Sequence, residues 1–365
     1  MKHFLRWLLD LFLRFTRTLD LPLLCALLML MVFGLMVLYS AGNENRTLVI
    51  AQGARYVVGL GAMWLLSRIT PAQLRSVTPL VFIGSLLPLL LVLVIGQGKH
   101  GNLWINLGIF YFQPSEVLKL SLPMGVAWYL QNERLPPRFL TVLIAGAIIA
   151  LPTLLILLQP DFGTAMLVAL SGGFVLYLAG LHWGWFATAG ASVAAAAPVA
   201  WLWFLRPYQK DRILNFLEPE RDPLGTGWNI IQSKIAIGSG HWLGQGWGQG
   251  TQSHLDYLPE HTTDFIFAVL SEEFGWAGVA FVLALYIFIV GRCLWIASEA
   301  RDTYSRLLAG ALGMAFSVYV IVNGGMIAGL LPVVGVPMPL LSYGGTAAVS
   351  LLAGLGVVMG MKERR

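Results

Sequence analysis

The chain has 365 residues, of which 57% are hydrophobic and only 11% charged, less than half the roughly 25% charged share of an ordinary soluble domain. That excludes a water-soluble globule and leaves a polytopic membrane protein, for which 40 glycines and 13 tryptophans suit helix packing in lipid and bilayer interfaces. The net charge of +5 comes from bases scattered between apolar runs and forming no stripe, so it sets membrane orientation and gives no reason to expect nucleic acid as a partner.

The first twenty residues are no cleavable signal, because Arg6, Asp10, Arg14 and Arg17 interrupt them. At 100° per residue those charges share one face, opposite Phe4, Leu8, Leu11, Phe12 and Phe15, which predicts an amphipathic helix lying on the membrane surface over 1–20. Ten apolar runs follow, each near the 20 residues that cross a hydrocarbon core of about 30 Å. They fall at 21–40, 48–67, 78–96, 115–131, 139–158, 164–181, 185–205, 266–291, 307–331 and 340–361. The fold class expected is all-α, a single transmembrane domain over 21–361 of about ten helices with one long extracytoplasmic loop at about 206–265.

Basic residues of the short connections and flanking helix ends divide fourteen against three in favour of the side that holds Arg14, Arg68, Arg134, Arg301 and Arg364. The positive-inside rule therefore puts both termini in the cytoplasm and the protein in the cytoplasmic, or inner, membrane. Cys25 and Cys293 sit at ends of apolar runs and suggest neither a disulfide nor a metal site. His241, His254 and His261 share the outer loop without metal-ligand spacing.

Four places carry polar chemistry at membrane depth. At the fourth run, Glu116 and Lys119 stand at i, i+3 on one helical face, either as a structural ion pair or as site residues. Asp161 follows in a Gln-Pro-Asp turn at the same outer level. The long loop holds a glycine-rich run from Gly238 to Gly250, which lacks the strand that a dinucleotide-binding fingerprint requires and reads as a tight loop against a ligand or another backbone. Within that loop Trp228, Ile231 and Ile235 recur at helical spacing.

The fourth place is the start of the eighth run, where Thr262, Thr263 and Asp264 lead into apolar helix as either caps or chemistry. Capping does not explain the adjacent carboxylates Glu272 and Glu273, roughly 12 Å further along. Glu116, Lys119, Asp161 and Asp264 all reach the outer level, so a polar cavity there is the default expectation.

The segments Gln113-Pro-Ser-Glu-Val-Leu-Lys119, Gln159-Pro-Asp-Phe-Gly163, Gly238-Ser-Gly240 through Thr251-Gln252, Leu258-Pro-Glu260 with Thr263-Asp-Phe-Ile-Phe267, Glu272-Glu273 and Leu331 through Gly345 together resemble the SEDS family (shape, elongation, division and sporulation proteins). Val333-Val-Gly-Val-Pro337 and Gly250-Thr-Gln252 resemble its elongation members more than its division members. The resemblance implies a peptidoglycan glycosyltransferase that polymerises lipid II on the outer face of the cytoplasmic membrane. Its partners would be a class B penicillin-binding protein, the cross-linking transpeptidase, and other elongation-complex proteins.

On the same resemblance Asp264 is the catalytic aspartate, Glu116 and Lys119 line the central cavity, and Asp161 is a further polar position. Thr263, Glu272 and Glu273 are read as structural or supporting. Three departures stand out. Leu103 and Tyr111 occupy places where relatives commonly carry arginine, which leaves Lys99 or loop arginines for any phosphate contact. Thr262 replaces a common histidine, here His261.

The chemistry suits one carboxylate. A pyrophosphate leaves without protonation by a second acid, so a single general base plus cations suffices. No cofactor is certain; a divalent cation, Mg or Mn, could share the phosphate role, and no ligand set for it is readable. The alternative function is a flippase for lipid-linked precursors, which would need a midplane site and often repeated halves, and no repeat is visible. Gly275, Gly278, Gly310 and Gly313 on the eighth and ninth spans offer a small-residue surface for the partner's helix.

Overall fold

The computed structural model describes residues 18–97, 103–106, 108, 111–221, 226–251 and 261–362. Residues 1–17 of the expected amphipathic helix lie outside them, as do Lys99, Gln252, His254 and Leu258 to Glu260.

Helices occupy each of the ten apolar runs. They are α1 (Leu21–Ala41), α2 (Arg46–Ser67), α3 (Pro71–Ile95), α4 (Pro114–Leu130), α5 (Phe139–Leu158), α6 (Phe162–Leu178), α7 (Trp183–Val199, prolonged by a π turn Ala200–Phe204), α10 (Ile266–Glu299), α11 (Thr303–Ile327) and α12 (Thr346–Gly360). Between α7 and α10 lie α8 (Pro207–Leu217) and α9 (Thr226–Ser239), so the long polar connection is partly helical, and α9 contains Trp228, Ile231 and Ile235. A two-residue hairpin, β1 (Ile105–Asn106) with β2 (Tyr111–Phe112), precedes α4. Seven of the described helices are long and apolar enough to cross a membrane. Helices α4, α6 and α12 are shorter, at 17, 17 and 15 residues. The protein is an all-α polytopic membrane protein.

Helix starts follow local chemistry. Asp20, Asn45, Asp161 and Asp302 each accept a backbone N–H of the first turn, and Thr70 with Gln73 forms a capping box. The most buried elements are α4 and α11, which pack against each other and against α6 at the centre of the bundle. By contrast, α7 buries none of its residues and forms an outer wall.

Close helix pairs use glycine, as expected where lipid supplies no hydrophobic drive between helices. A Cβ on Gly356 of α12 would sit 2.3 Å from the carbonyl oxygen of Met63 on α2. The same holds for the surface assigned above to a partner, and that expectation is corrected. Gly310 meets Leu178 of α6, Gly313 meets Cys293 of α10, Gly275 meets Gly244, and Gly278 meets Phe274 of its own helix. These glycines are consumed by packing within the chain, so they offer no free face.

Helix α10 is broken at Gly275, whose φ of 60° and ψ of −158° leave helical space. The glycine-rich run repairs the break. Gln245 and Gly246 donate their N–H groups to the carbonyls of Glu272 and Glu273, while Trp276 and Ala277 donate to His241 and Trp242. A break at membrane depth is tolerable only with such re-satisfaction. Gly244, at φ 81°, lies so close that an added Cβ would stand 2.0 Å from the Glu273 carbonyl oxygen. The run is therefore a backbone splint, in keeping with the tight-loop reading.

At the opposite end of α10, Asp20 is fully buried and accepts hydrogen bonds from Arg292 (2.8 Å, twice), Lys362 (2.6 Å) and the Leu23 N–H (3.1 Å). Burial alone would raise its pKa, but the bonds from Arg292, Lys362 and Leu23 outweigh it and hold the carboxyl at about 2 instead of 3.8. A depressed carboxylate stabilises the fold above its unfolded pKa and loses that contribution as pH falls toward its folded value. Asp20→Asn should thus lower stability by about 3 kcal/mol near neutral pH, because it strands two cations. Unfolding midpoints in detergent should show that gap constant above about pH 4 and closing as pH approaches 2.

Candidate active site

Glu116 and Lys119 lie on the first turns of α4, which starts with Pro114 at a position where a missing N–H costs nothing. The Glu116 carboxylate, in the first turn, also meets the positive end of the helix dipole. Lys119 Nζ stands 2.6 Å from Glu116 Oε1, and Ser350 of α12 donates to Glu116 Oε2 at 2.6 Å. The Lys119 ammonium is 5.3 Å from the ring centroid of Tyr319 on α11. Three helices thus hold one ion pair that is nearly out of water, at 7% and 15% side-chain exposure.

Asp161 caps α6, accepting the Thr164 N–H at 3.0 Å through Oδ1, and its Oδ2 accepts from Gln113 at 3.4 Å. It ties the start of α6 to the start of α4. Tyr208 of α8 donates to the Pro160 carbonyl at 3.0 Å and brings that helix over the same turn.

These groups line one cavity of about 940 Å³, closed on one side by α7. Its polar lining includes Glu116, Lys119, Asp161, Gln113, Gln209 and Arg212. Leu103 and Trp104 also line it, whereas Tyr111 is exposed on the hairpin. Arg212 is a cation that the motif reading did not single out. Its signal is the 208, 209, 212, 213 spacing of Tyr208, Gln209, Arg212 and Ile213, one face of α8 turned to the cavity.

Asp264 is not itself in the cavity lining and borders it at Gly335. Gly335 is in the lining, and Asp264 Oδ2 is 3.5 Å from where a Cβ on Gly335 would stand. Gly335 has φ 72°, so this approach depends on glycine for backbone conformation. Asp264 is not the cap of α10: the helix begins after Phe265, and no side chain caps it. Asn323 of α11 donates to the Asp264 carbonyl at 2.9 Å, and Ser342 donates to the Thr263 carbonyl at 2.6 Å.

Glu272 and Glu273 are buried, but neither lines the cavity. They stand just before the α10 break at Gly275, where Thr251 donates to Glu272 at 3.1 Å and Ser40 of α1 donates to Glu273. Among the described residues no three carboxylate, histidine or cysteine side chains gather to hold a metal ion.

The cell cycle protein family of FtsW, RodA and SpoVE matches residues 16–365. The chain is 45% identical over 348 residues to the peptidoglycan glycosyltransferase MrdB of Escherichia coli K12, covering 95% of this chain and 94% of that one. It is 32% identical to the peptidoglycan glycosyltransferase RodA of Treponema pallidum, covering 95% and 98%. Among solved structures, a chain of a peptidoglycan synthase complex superposes with a TM-score of 0.82 at 31% identity, covering 93% of this chain and 96% of that one. The rod shape determining protein RodA of Thermus thermophilus superposes with a TM-score of 0.72 at 27% identity, covering 93% and 95%. With a match along nearly its whole length, this chain belongs to the FtsW/RodA/SpoVE family, the SEDS family of cell cycle proteins.

Proposed function

We propose that this chain, a peptidoglycan glycosyltransferase, polymerises lipid II at the outer face of the cytoplasmic membrane with Asp264 as general base. The observation that carries the assignment is the Asp264 carboxylate set against Gly335, a lining residue of a large cavity whose lining includes Lys119 and Arg212. The acceptor sugar hydroxyl gives its proton to Asp264 as its oxygen attacks the anomeric carbon of the donor. The bond from that carbon to the lipid pyrophosphate breaks, and the pyrophosphate leaves with the electron pair. Lys119, oriented by Glu116, and Arg212 offset the charge that builds on the phosphates. Apolar α7 gives the lipid part of the substrate a wall it can slide along without desolvating polar groups.

A class B penicillin-binding protein is the proposed partner, since a nascent glycan needs cross-linking, and the synthase complex above coordinates polymerization and crosslinking. Purified chain and partner, given labelled lipid II, should yield glycan ladders; substrate moved across vesicles without any polymer would favour the flippase instead. Orientation is tested by single cysteines in a Cys25→Ser, Cys293→Ala background. Glu44→Cys and Leu243→Cys should react with an impermeant thiol reagent from outside, while Asn132→Cys and Arg134→Cys should react only after permeabilisation. The reverse pattern would place the cavity on the wrong side for wall synthesis.

A further inference from the structure

The turn that carries Asp264 is held by three consecutive carbonyls. Tyr343 N–H donates to Thr262 at 2.9 Å, Ser342 Oγ to Thr263 at 2.6 Å, and Asn323 Nδ2 to Asp264 at 2.9 Å. Pinning three consecutive carbonyls of the turn restrains its backbone, so the carboxylate moves mainly through its own side-chain torsions.

Two of those three donors sit in the 342–344 loop, and that loop hangs from α2. Gln52, fully buried, donates to the Ser342 carbonyl at 3.4 Å and accepts the Gly344 N–H at 3.3 Å. Arg55, half-buried within the same span, donates one nitrogen to Gln52 at 3.2 Å and the other to the Tyr343 hydroxyl at 3.0 Å. Its guanidinium also lies 4.3 Å from the Tyr343 ring centroid. An arginine within a membrane span is costly and by default marks function. Neither Gln52 nor Arg55 is in the cavity lining; Gln52 reaches it through the N–H of Gly344, which is a lining residue.

We infer that Arg55 and Gln52 are positioning residues for the general base, acting through the 342–344 loop on the turn that carries Asp264. This rests on the reading of Asp264 as the base. Reacting atoms must be placed to within a fraction of an ångström, and a displacement near 1 Å costs about 10²-fold in rate. A planar fork that grips Gln52 and Tyr343 together supplies such rigidity, and lysine cannot imitate it.

The test measures kcat and KM for lipid II per folded, monodisperse molecule with the partner present. Arg55→Met and Gln52→Leu should lower kcat by about 10- to 100-fold with KM changed less than about twofold. Arg55→Lys should recover part of the loss, and Tyr343→Phe, which keeps the ring, should cost less than Arg55→Met; it carries the same test if Arg55→Met does not fold. Groups that act as a unit are non-additive, so Arg55→Met should take less than about twofold from the residual rate of Asp264→Asn. An unchanged kcat in all three variants at 52, 55 and 343, or a rise in KM in place of the fall in kcat, would overturn the inference while a dead Asp264→Asn left the base intact. Near-parental synthesis by Asp264→Asn would instead remove the base itself.

Discussion

Asp264→Asn is expected to give a folded, partner-binding protein whose polymerisation rate is down about 10²- to 10⁴-fold, the usual loss when a general base is removed. Asparagine keeps the shape of the side chain and one acceptor oxygen, but it takes up no proton at ordinary pH. The expected cost to the fold is small, because α10 starts at Ile266 after an N-cap at Phe265 and draws no cap from a side chain. The contacts from Asn323 and toward Thr263 use backbone oxygens, which the substitution leaves in place. Single-turnover assays on labelled lipid II would read the rate, and thermal midpoints in detergent would read the fold. Polymer made at near-parental rate would withdraw the base assignment; a large fall in midpoint would return Asp264 to a structural role.

What the sequence makes legible follows from which interactions are local. Apolar runs report one helix at a time, so ten helices can be read directly, and the starts after Asp20 and Asn45 fall within two residues of their runs. The helices after Thr70 and Asp302 begin seven and four residues before the runs at 78 and 307, because their polar first turns carry no apolar signal. The ion pair of Glu116 with Lys119 is also local, three residues apart on one face. Asp264 was harder, because cap and base differ by a shift of one residue in where α10 begins, and only the backbone decides that. Contacts across hundreds of residues leave no spacing to read. Ser40 with Glu273, and Arg55 with Tyr343, are of this kind. The four glycines pack inside the chain at shorter separations, yet their pattern fits an intermolecular face equally well.

Lys119→Met and Glu116→Gln test whether the buried pair serves the fold or the substrate. Removing one member of a buried pair leaves an uncompensated charge and costs about 3–5 kcal/mol, whereas removing both together is often nearly neutral. Ser350 donates to Glu116 and the Tyr319 ring faces Lys119, so each partner left alone keeps only weak compensation in place of a full charge. The double variant Glu116→Gln/Lys119→Met should therefore unfold at a higher temperature than either single one. Synthesis should behave differently. If Lys119 meets the pyrophosphate, its loss removes transition-state stabilisation of the kind worth about 10²- to 10³-fold, and no second substitution at Glu116 returns it. Stability restored while polymerisation stays as low as in Lys119→Met assigns the lysine to the substrate and the glutamate to holding it. Stability and polymerisation recovering together would assign both to the fold, and Arg212 would then be the remaining cation of the cavity among the described residues to test against the phosphates.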